Sequence, residues 1–345
     1  MDKILLIDGS LGEGGGQILR TSLTLAMCLK IPITINNIRA GRPKPGLMRQ
    51  HLACIYAAKE VCSAKVVNAE LGSQSVTFIP GDITAGKFHF SVGSAGSTTL
   101  IFQTIFLALT QTNEISDVTF EGGTHNPFAP SYDYLIECFK PMVEKLGYKF
   151  DAHLENAGYY PAGGGLWRCR IYPKESSKVL SLTTREKIKK IHATVNISNL
   201  KHNIFEREKN VLKEQLDLRD NQITEKNLNS IRAGNAVGIT IESGNAIEYV
   251  ESLGAKGLAA EKVAREVAGK TREYIKNNTP VGEYLSDQLI LPMLLGNDGE
   301  FVTSNISSHL KTNIDTANKV LKENKIYSKT LRIEQTNAKY KIICE

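Results

Sequence analysis

The pattern that most limits what this chain can fold into is a succession of strand and helix signals that comes round three times. An apolar run of strand length, residues 4–7, stops at Asp8-Gly9-Ser10 and gives way, through Gly12 and Gly14 to Gly16, to a helical spacing of Ile18, Leu19, Leu23, Leu25 and Ala26. An extended run at 31–38 and a second helix carrying Leu47, Leu52, Ile55, Ala58 and Val61 follow, and residues 65–70 and 75–79 read as a hairpin. The unit is β-α-β-α-β-β.

The order recurs as strand 88–92, glycine turn 93–97, helix 98–109, strand 118–120, helix 132–146 and strands 148–154 and 166–172. It returns near the C-terminus as helix 282–295, strand 300–305, helix 312–323 and strands 329–334 and 339–344, with an opening strand, 179–183, about a hundred residues upstream. A repeat of this kind decides the architecture before any single motif does. We expect an α+β fold in which units 1–82, 86–174, and 178–184 with 278–345 form a main body, 1–184 and 278–345. Residues 185–277, rich in Lys, Glu and Asn, are expected to be a smaller inserted α/β domain with strands 192–197, 236–241 and 246–250 and helices 205–216 and 259–276.

A chain of 345 residues is too long for one typical core, and 41% hydrophobic with 23% charged residues is an ordinary globular composition. A net charge of +6 permits a nucleic-acid partner without demanding one. The six cysteines form no C-x-x-C pair, so they point to buried thiols of a reducing compartment rather than to zinc or disulfides. The N-terminal apolar run is too short for a signal peptide, and the most apolar helix, 100–109, falls far short of the ~20 residues a membrane span needs. These features place the chain in the cytoplasm, or the nucleus of a eukaryotic cell, with no membrane partner.

Five polar groups sit at element junctions. The opening glycine turn, with Glu13, Gln17 and Arg20, lets a backbone approach an anion and offers free N–H groups, while an acid and a base beside it suit a metal–nucleotide complex. Arg39, Arg42 and Lys44, with Arg49 and Gln50 behind them, make a proline-stiffened basic turn suited to phosphate oxygens. The rigid turn Gly122-Gly-Thr-His125-Asn-Pro-Phe128-Ala-Pro130 carries an imidazole, read first as a structural hydrogen-bonder, and an aromatic ring. Tyr284 and Asp287, three apart at a helix start, share a face. The fifth group, residues 307–313, lies in the junction before the last long helix and holds His309, a residue type able to act as a covalent nucleophile.

Taken together these stretches resemble the RNA 3′-terminal phosphate cyclase family, essentially end to end. The resemblance rests on D-G-S-x-G-E-G-G-G-Q-I-L-R at the opening, R-x-G-R-P-x-P-G-L, G-G-T-x-x-P, G-Y-Y-P-x-G-G-G at 158–165, G-E-Y-L-x-D-Q-L and S-x-H-L-x-T-N. It implies a body of three repeated units with an insert, and ATP-dependent conversion of an RNA 3′-phosphate end to a 2′,3′-cyclic phosphate through adenylated enzyme and adenylated RNA. It assigns His309 as nucleophile, Glu13 to a divalent metal (Mg or Mn), and Gln103, Tyr284, Asp287 and Gln288 to adenosine. Pro130 would close the adenine opposite Tyr284, and Arg20 with Gln17 would serve the nucleotide. Arg39, Arg42 and Gln50 are left for ATP phosphates or the RNA end. Homodimer formation is compatible with the sequence. A non-catalytic relative acting as a scaffold in ribosomal RNA processing is the alternative, though such relatives lack the nucleophile segment that is intact here.

Overall fold

The structure, a computed structural model, describes residues 4–175, 178–323 and 328–345; residues 1–3, 176–177 and 324–327 of the expected main body lie outside it. The first repeat contains β1 (Leu5–Asp8), α1 (Gly16–Leu29), β2 (Ile33–Asn36), α2 (Arg49–Val61), β3 (Lys65–Val67) and β4 (Val76–Ile79). The second contains β5 (Lys87–Ser91), α3 (Thr98–Leu109), β6 (Ser116–Gly122), α4 (Tyr132–Tyr134), a π-helical turn (Leu135–Phe139), α5 (Lys140–Glu144), β7 (Phe150–Asn156) and β8 (Gly165–Ile171). The third opens with β9 (Leu180–Leu182).

The chain then leaves through β10 (Ile188–Ser198), α6 (Asn203–Leu216), β11 (Ile223–Asn227), β12 (Gly234–Ser243), β13 (Ile247–Leu253) and α7 (Ala260–Asn277). It returns with α8 (Glu283–Gln288), α9 (Ile290–Leu294), β14 (Gly299–Thr303), α10 (Ser308–Glu323), β15 (Leu331–Thr336) and β16 (Lys339–Cys344). The helix expected over 282–295 is thus two short ones meeting at Leu289.

The three repeats build the same sheet. Their strand orders are β1-β2-β4-β3, β5-β6-β8-β7 and β9-β14-β16-β15. In each, the first two strands pair parallel across a helical crossover and the others pair antiparallel, so Ile7 faces Ile35 as Phe90 faces Phe120 and Phe301 faces Leu182. Alternation sets the buried face: Ser116, Val118, Phe120 and Gly122 of β6 point inward, as do Gly165, Trp167, Cys169 and Ile171 of β8. Phe120 and Trp167 stack at 4.3 Å, and burying a side chain such as Phe120 contributes about 1.5–3 kcal/mol. Buried residues of all three repeats form one continuous core, from Leu5 to Cys344.

Residues 188–277 carry a fourth sheet, ordered β11-β10-β12-β13, backed by α6 and α7 over a separate apolar cluster that includes Val195, Leu212, Ile239 and Val267. Strand β11 was not expected from the sequence. Its Ile-Thr-Glu-Lys-Asn buries only Ile223, as an edge strand can, and it pairs parallel to β10. Among the described residues no helix is long and apolar enough to cross a membrane. All six cysteines are free, and all but Cys28 are buried.

Helix α1 is the element the site is built on. It packs on α10 from the third repeat and α3 from the second. Every residue of α3 is buried except Gln103.

Candidate active site

The opening turn owes its shape to Asp8, whose Oδ1 accepts the Ser10 N–H at 3.0 Å and its hydroxyl at 2.7 Å, and to glycines at φ +59° (Gly12) and +58° (Gly14). Gly12 is also where α10 comes closest: a Cβ there would collide with the Thr312 side chain. Across this contact the Glu13 N–H donates to Thr312 Oγ1 at 3.0 Å. Gly15, at the N-cap of α1, has no side chain to cap with, and Glu13 Oε1 accepts the Gln17 N–H at 3.2 Å instead. The other carboxylate oxygen, Oε2, lies 3.5 Å from His309 Nδ1 and 3.4 Å from Arg42 Nη2.

His309 stands in the first turn of α10, not in a junction ahead of it, because that helix begins at Ser308. Leu310, Ile314, Ala317 and Leu321 form its buried stripe. Half of the His309 side chain stays exposed. Asn313, one turn further on, joins three elements: its Oδ1 accepts Gln17 Nε2 at 2.9 Å and the Thr21 hydroxyl, and its Nδ2 donates to the Asp287 carbonyl at 3.0 Å. Gln17 Oε1 accepts Arg20 Nη2 at 2.7 Å, and Gln103 Nε2 donates to Gln288 Oε1.

Electrostatics follow from burial. The Asp287 carboxyl is pushed up to about 7, chiefly by burial, with Gln288 and Arg20 pulling the other way. Burial lowers the Arg20 guanidinium pKa, yet arginine remains charged at neutral pH. His51, turned toward Gly16, is held at about 3 by burial and by Arg20 and Arg39, so it is a neutral ring whose Nδ1 accepts the Met48 N–H at 3.0 Å. Helix α8 is anchored from outside the three repeats: Glu248 Oε2, on β13, accepts the Gly282 N–H at 2.6 Å.

A cleft of about 510 Å³ opens between α1, α3, α8, α10 and the loop 126–131. Gln17, Arg20, Gln103 and Pro130 line it, together with Tyr284, Asp287, Gln288 and His309. These residues come from all three repeats. Glu13 stands at its edge beside His309, one carboxylate in reach of the nucleophile candidate. That donor set suits a Mg or Mn ion, which takes one or two carboxylates and completes its shell with water and substrate phosphates.

The basic turn divides. Arg42 reaches Glu13, donating to its carbonyl at 2.8 Å. Arg39 does not line the cleft and turns inward, Nη1 donating to the Lys44 and Gly46 carbonyls at 2.6 and 3.0 Å. Gln50 also stands apart, Nε2 bonding the Ser97 carbonyl at 2.9 Å while its buried Oε1 has no partner. His125 is buried, as its structural reading requires, bonding Asp133 Oδ2 and Thr124 Oγ1, each at 2.8 Å, and stacking on Tyr159.

A family model described as RNA 3′-terminal phosphate cyclase matches residues 11–325 of this chain. The chain belongs to the RNA 3′-terminal phosphate cyclase family. Among curated relatives, the RNA 3′-terminal phosphate cyclase of Salmonella agona (strain SL483) is 40% identical over 325 residues, 93% of this chain and 93% of that protein.

In this member of the cyclase family the sequence reading missed one side of the cleft. Tyr249, Glu251 and Lys270, from β13 and α7, complete its wall. Nothing marks them in the sequence, since they belong to regular periodic elements and meet the cleft only through the placement of the fourth sheet. Thr312 and Asn313 stood inside the quoted S-x-H-L-x-T-N segment without a role. Their partners Glu13 and Gln17 are the signal, visible only once α10 is laid against α1.

Proposed function

We propose that this chain is an ATP-dependent RNA 3′-terminal phosphate cyclase, converting an RNA 3′-phosphate to a 2′,3′-cyclic phosphate through a covalent histidine–AMP and an RNA-adenylate. The observation that carries the reading is the position of His309, half-exposed in the nucleotide-sized cleft and facing the Glu13 turn. With Nδ1 turned toward the carboxylate, Nε2 is the nitrogen left to attack. It attacks the α-phosphorus of ATP, a P–N bond forms and pyrophosphate leaves.

Preorganised charge is what such a transfer needs, and Arg20, locked by Gln17, supplies a fixed cation. Arg42, beside Glu13, is a second cation near the phosphates. A divalent ion, when bound, would neutralise triphosphate charge, and Glu13 would hold it. Tyr284 and Pro130, which both line the cleft, would take the two faces of the adenine, and Asp287, Gln288 and Gln103 its polar edge.

A terminal phosphate oxygen of the RNA then attacks the histidine-bound AMP, the P–N bond breaks, and the imidazole is regenerated. The neighbouring 2′-hydroxyl attacks the activated phosphate and AMP departs. That last step joins groups on one ribose, so alignment supplies most of its advantage, and the hydroxyl proton passes to the departing AMP or to solvent.

The test is incubation with α-labelled ATP and a divalent metal. An acid-labile, base-stable AMP adduct is expected, absent in His309→Ala; an unlabelled wild-type protein would rule the mechanism out. An RNA 3′-phosphate whose terminal sugar lacks the 2′-hydroxyl should stop at the adenylated stage.

A further inference from the structure

Phe128 has no explanation in the fold. Its ring is fully exposed, at 105% of the reference surface, and its backbone sits at φ +63°, a region that strains a bulky residue and that glycine or asparagine occupies freely. An exposed ring recovers none of that strain through burial. The loop holding it is nevertheless fixed at both ends. Asn126 Nδ2 donates to the Ala95 carbonyl, Thr99 Oγ1 to the Pro130 carbonyl at 2.6 Å, and Ser131 Oγ accepts the Tyr134 N–H at 3.0 Å. Prolines 127 and 130 restrict φ on either side. The backbone that presents the ring to solvent is therefore held in place, and the ring lines the cleft that contains His309.

An exposed aromatic on a pinned loop, at the mouth of a site that receives a strand end, has one natural partner. Unpaired bases stack on such rings whatever their sequence, whereas polar base-reading contacts would impose one. Along this loop Ala129 and Pro130 are half-buried while Pro127 and Phe128 are exposed, so Phe128 marks the outer side, away from the slot assigned to adenine.

We propose that Phe128 is the stacking platform for the nucleobase of the RNA's 3′-terminal nucleotide. The proposal rests on the cyclase reading of the cleft. It makes substrate capture depend on a base being present and not on which base it is.

Phe128→Ala and Phe128→Trp are compared in the full chain, with short RNA 3′-phosphates ending either in a normal nucleotide or in an abasic one. For the normal RNA, F128A should raise KM roughly tenfold, the scale of one lost base–aromatic stack, with kcat and the ATP dependence of self-adenylation as in wild type. F128W should restore the wild-type KM. The abasic RNA should bind the wild type as weakly as the normal RNA binds F128A, and the mutation should have no further effect on it.

A higher KM for ATP in F128A would overturn the proposal by assigning the ring to the nucleotide. An equal loss on abasic and normal RNA would overturn it by showing that the ring acts through the fold. Binding of an RNA with terminal 2-aminopurine gives a readout independent of turnover: quenching by wild type but not by F128A supports stacking even in a protein that fails to adenylate. Equal quenching by both sinks it.

Discussion

His309 Nδ1 and Glu13 Oε2 lie 3.5 Å apart although one residue opens the first repeat and the other the last helix of the third. Behind them the Glu13 N–H bonds Thr312 Oγ1 and Gln17 bonds Asn313, so the two repeats are joined by a short row of polar contacts in the core of the site. The proposed chemistry requires this contact, and most of its consequences can be measured.

Glu13 has two duties that substitution separates. Its Oε1 accepts the Gln17 N–H at the start of α1, and its charge faces His309 and Arg42. Glu13→Gln keeps an acceptor and removes the charge. We expect a Tm close to wild type and a loss of adenylation on the order of 100-fold or more, partly recovered at high metal concentration. Glu13→Ala should lose activity and also ~1 kcal/mol of stability with the helix cap. A metal titration of adduct formation with thermal melts of both variants checks the separation.

Gly12 should tolerate no side chain. Its φ of +59° strains any other residue, and a Cβ would meet Thr312, which holds the Glu13 backbone. Gly12→Ala should destabilise by about 1–3 kcal/mol and push α10 off α1. The expected result is a larger proportional loss in adduct yield than in folded fraction, with the folded fraction read by circular dichroism.

Asp287 predicts a pH effect on nucleotide use. Burial raises its carboxyl to about 7, so it is largely protonated at pH 6 and ionised at pH 8. An ionised carboxylate is the better acceptor for an amino or hydroxyl group of adenosine. The KM for ATP in adduct formation should fall as pH rises through 7, and Asp287→Asn should flatten that profile. A profile unchanged by the substitution would remove Asp287 from the adenosine contacts.

Glu248 is a positioning residue. It accepts the Gly282 N–H at 2.6 Å and thereby sets where α8 begins, one residue before Tyr284. Glu248→Gln keeps an acceptor and should leave the KM for ATP near wild type. Glu248→Ala should raise it several-fold and cost about 1–3 kcal/mol for the orphaned donor. Steady-state kinetics of the pair decide this, since a purely structural role would lower Tm without moving KM.

Glu208 makes a stability prediction away from the site. It is fully buried on α6, Oε2 bonded to Asn235 Nδ2 and Oε1 without a partner, and burial raises its carboxyl from 4.5 to about 7. The folded state holds this proton more tightly than the unfolded one. Its contribution is therefore fully present below about pH 4.5 and is lost as pH climbs through 7. The stability difference between Glu208→Gln and wild type should shift in favour of the variant across that window, by up to about 3 kcal/mol, as read from urea midpoints at pH 5 and pH 8.

The three repeats were legible because their strands alternate cleanly, as Val118 and Phe120 do, and because glycine turns separate strand from helix at Gly12 and Gly93. β11 was not legible: Thr224, Glu225, Lys226 and Asn227 have the chemistry of a loop, and only pairing with β10 makes them a strand. The start of α10 was placed at Thr312, four residues late, since polar Ser308 and His309 hide the stripe that begins at Leu310. Of the cleft, Gln17, Arg20, Tyr284, Asp287, Gln288 and His309 stand in recognisable motifs, whereas Tyr249, Glu251 and Lys270 do not. The contacts that bring them together, Glu13 to Thr312 and Gln17 to Asn313, depend on helix packing between distant repeats, which no local pattern encodes.

Because α1 and α10 each bring part of the proposed reaction centre, the order of synthesis matters. Glu13 and Arg20 leave the ribosome long before their counterpart His309. A growing chain holds a glycine turn with nothing to face until α10 has emerged and docked. Fragments that stop short of that helix should bring neither half of the chemistry to completion, and two fragments divided within residues 185–277 should regain adenylation only when combined. Activity in this fold should thus report on a docked α10.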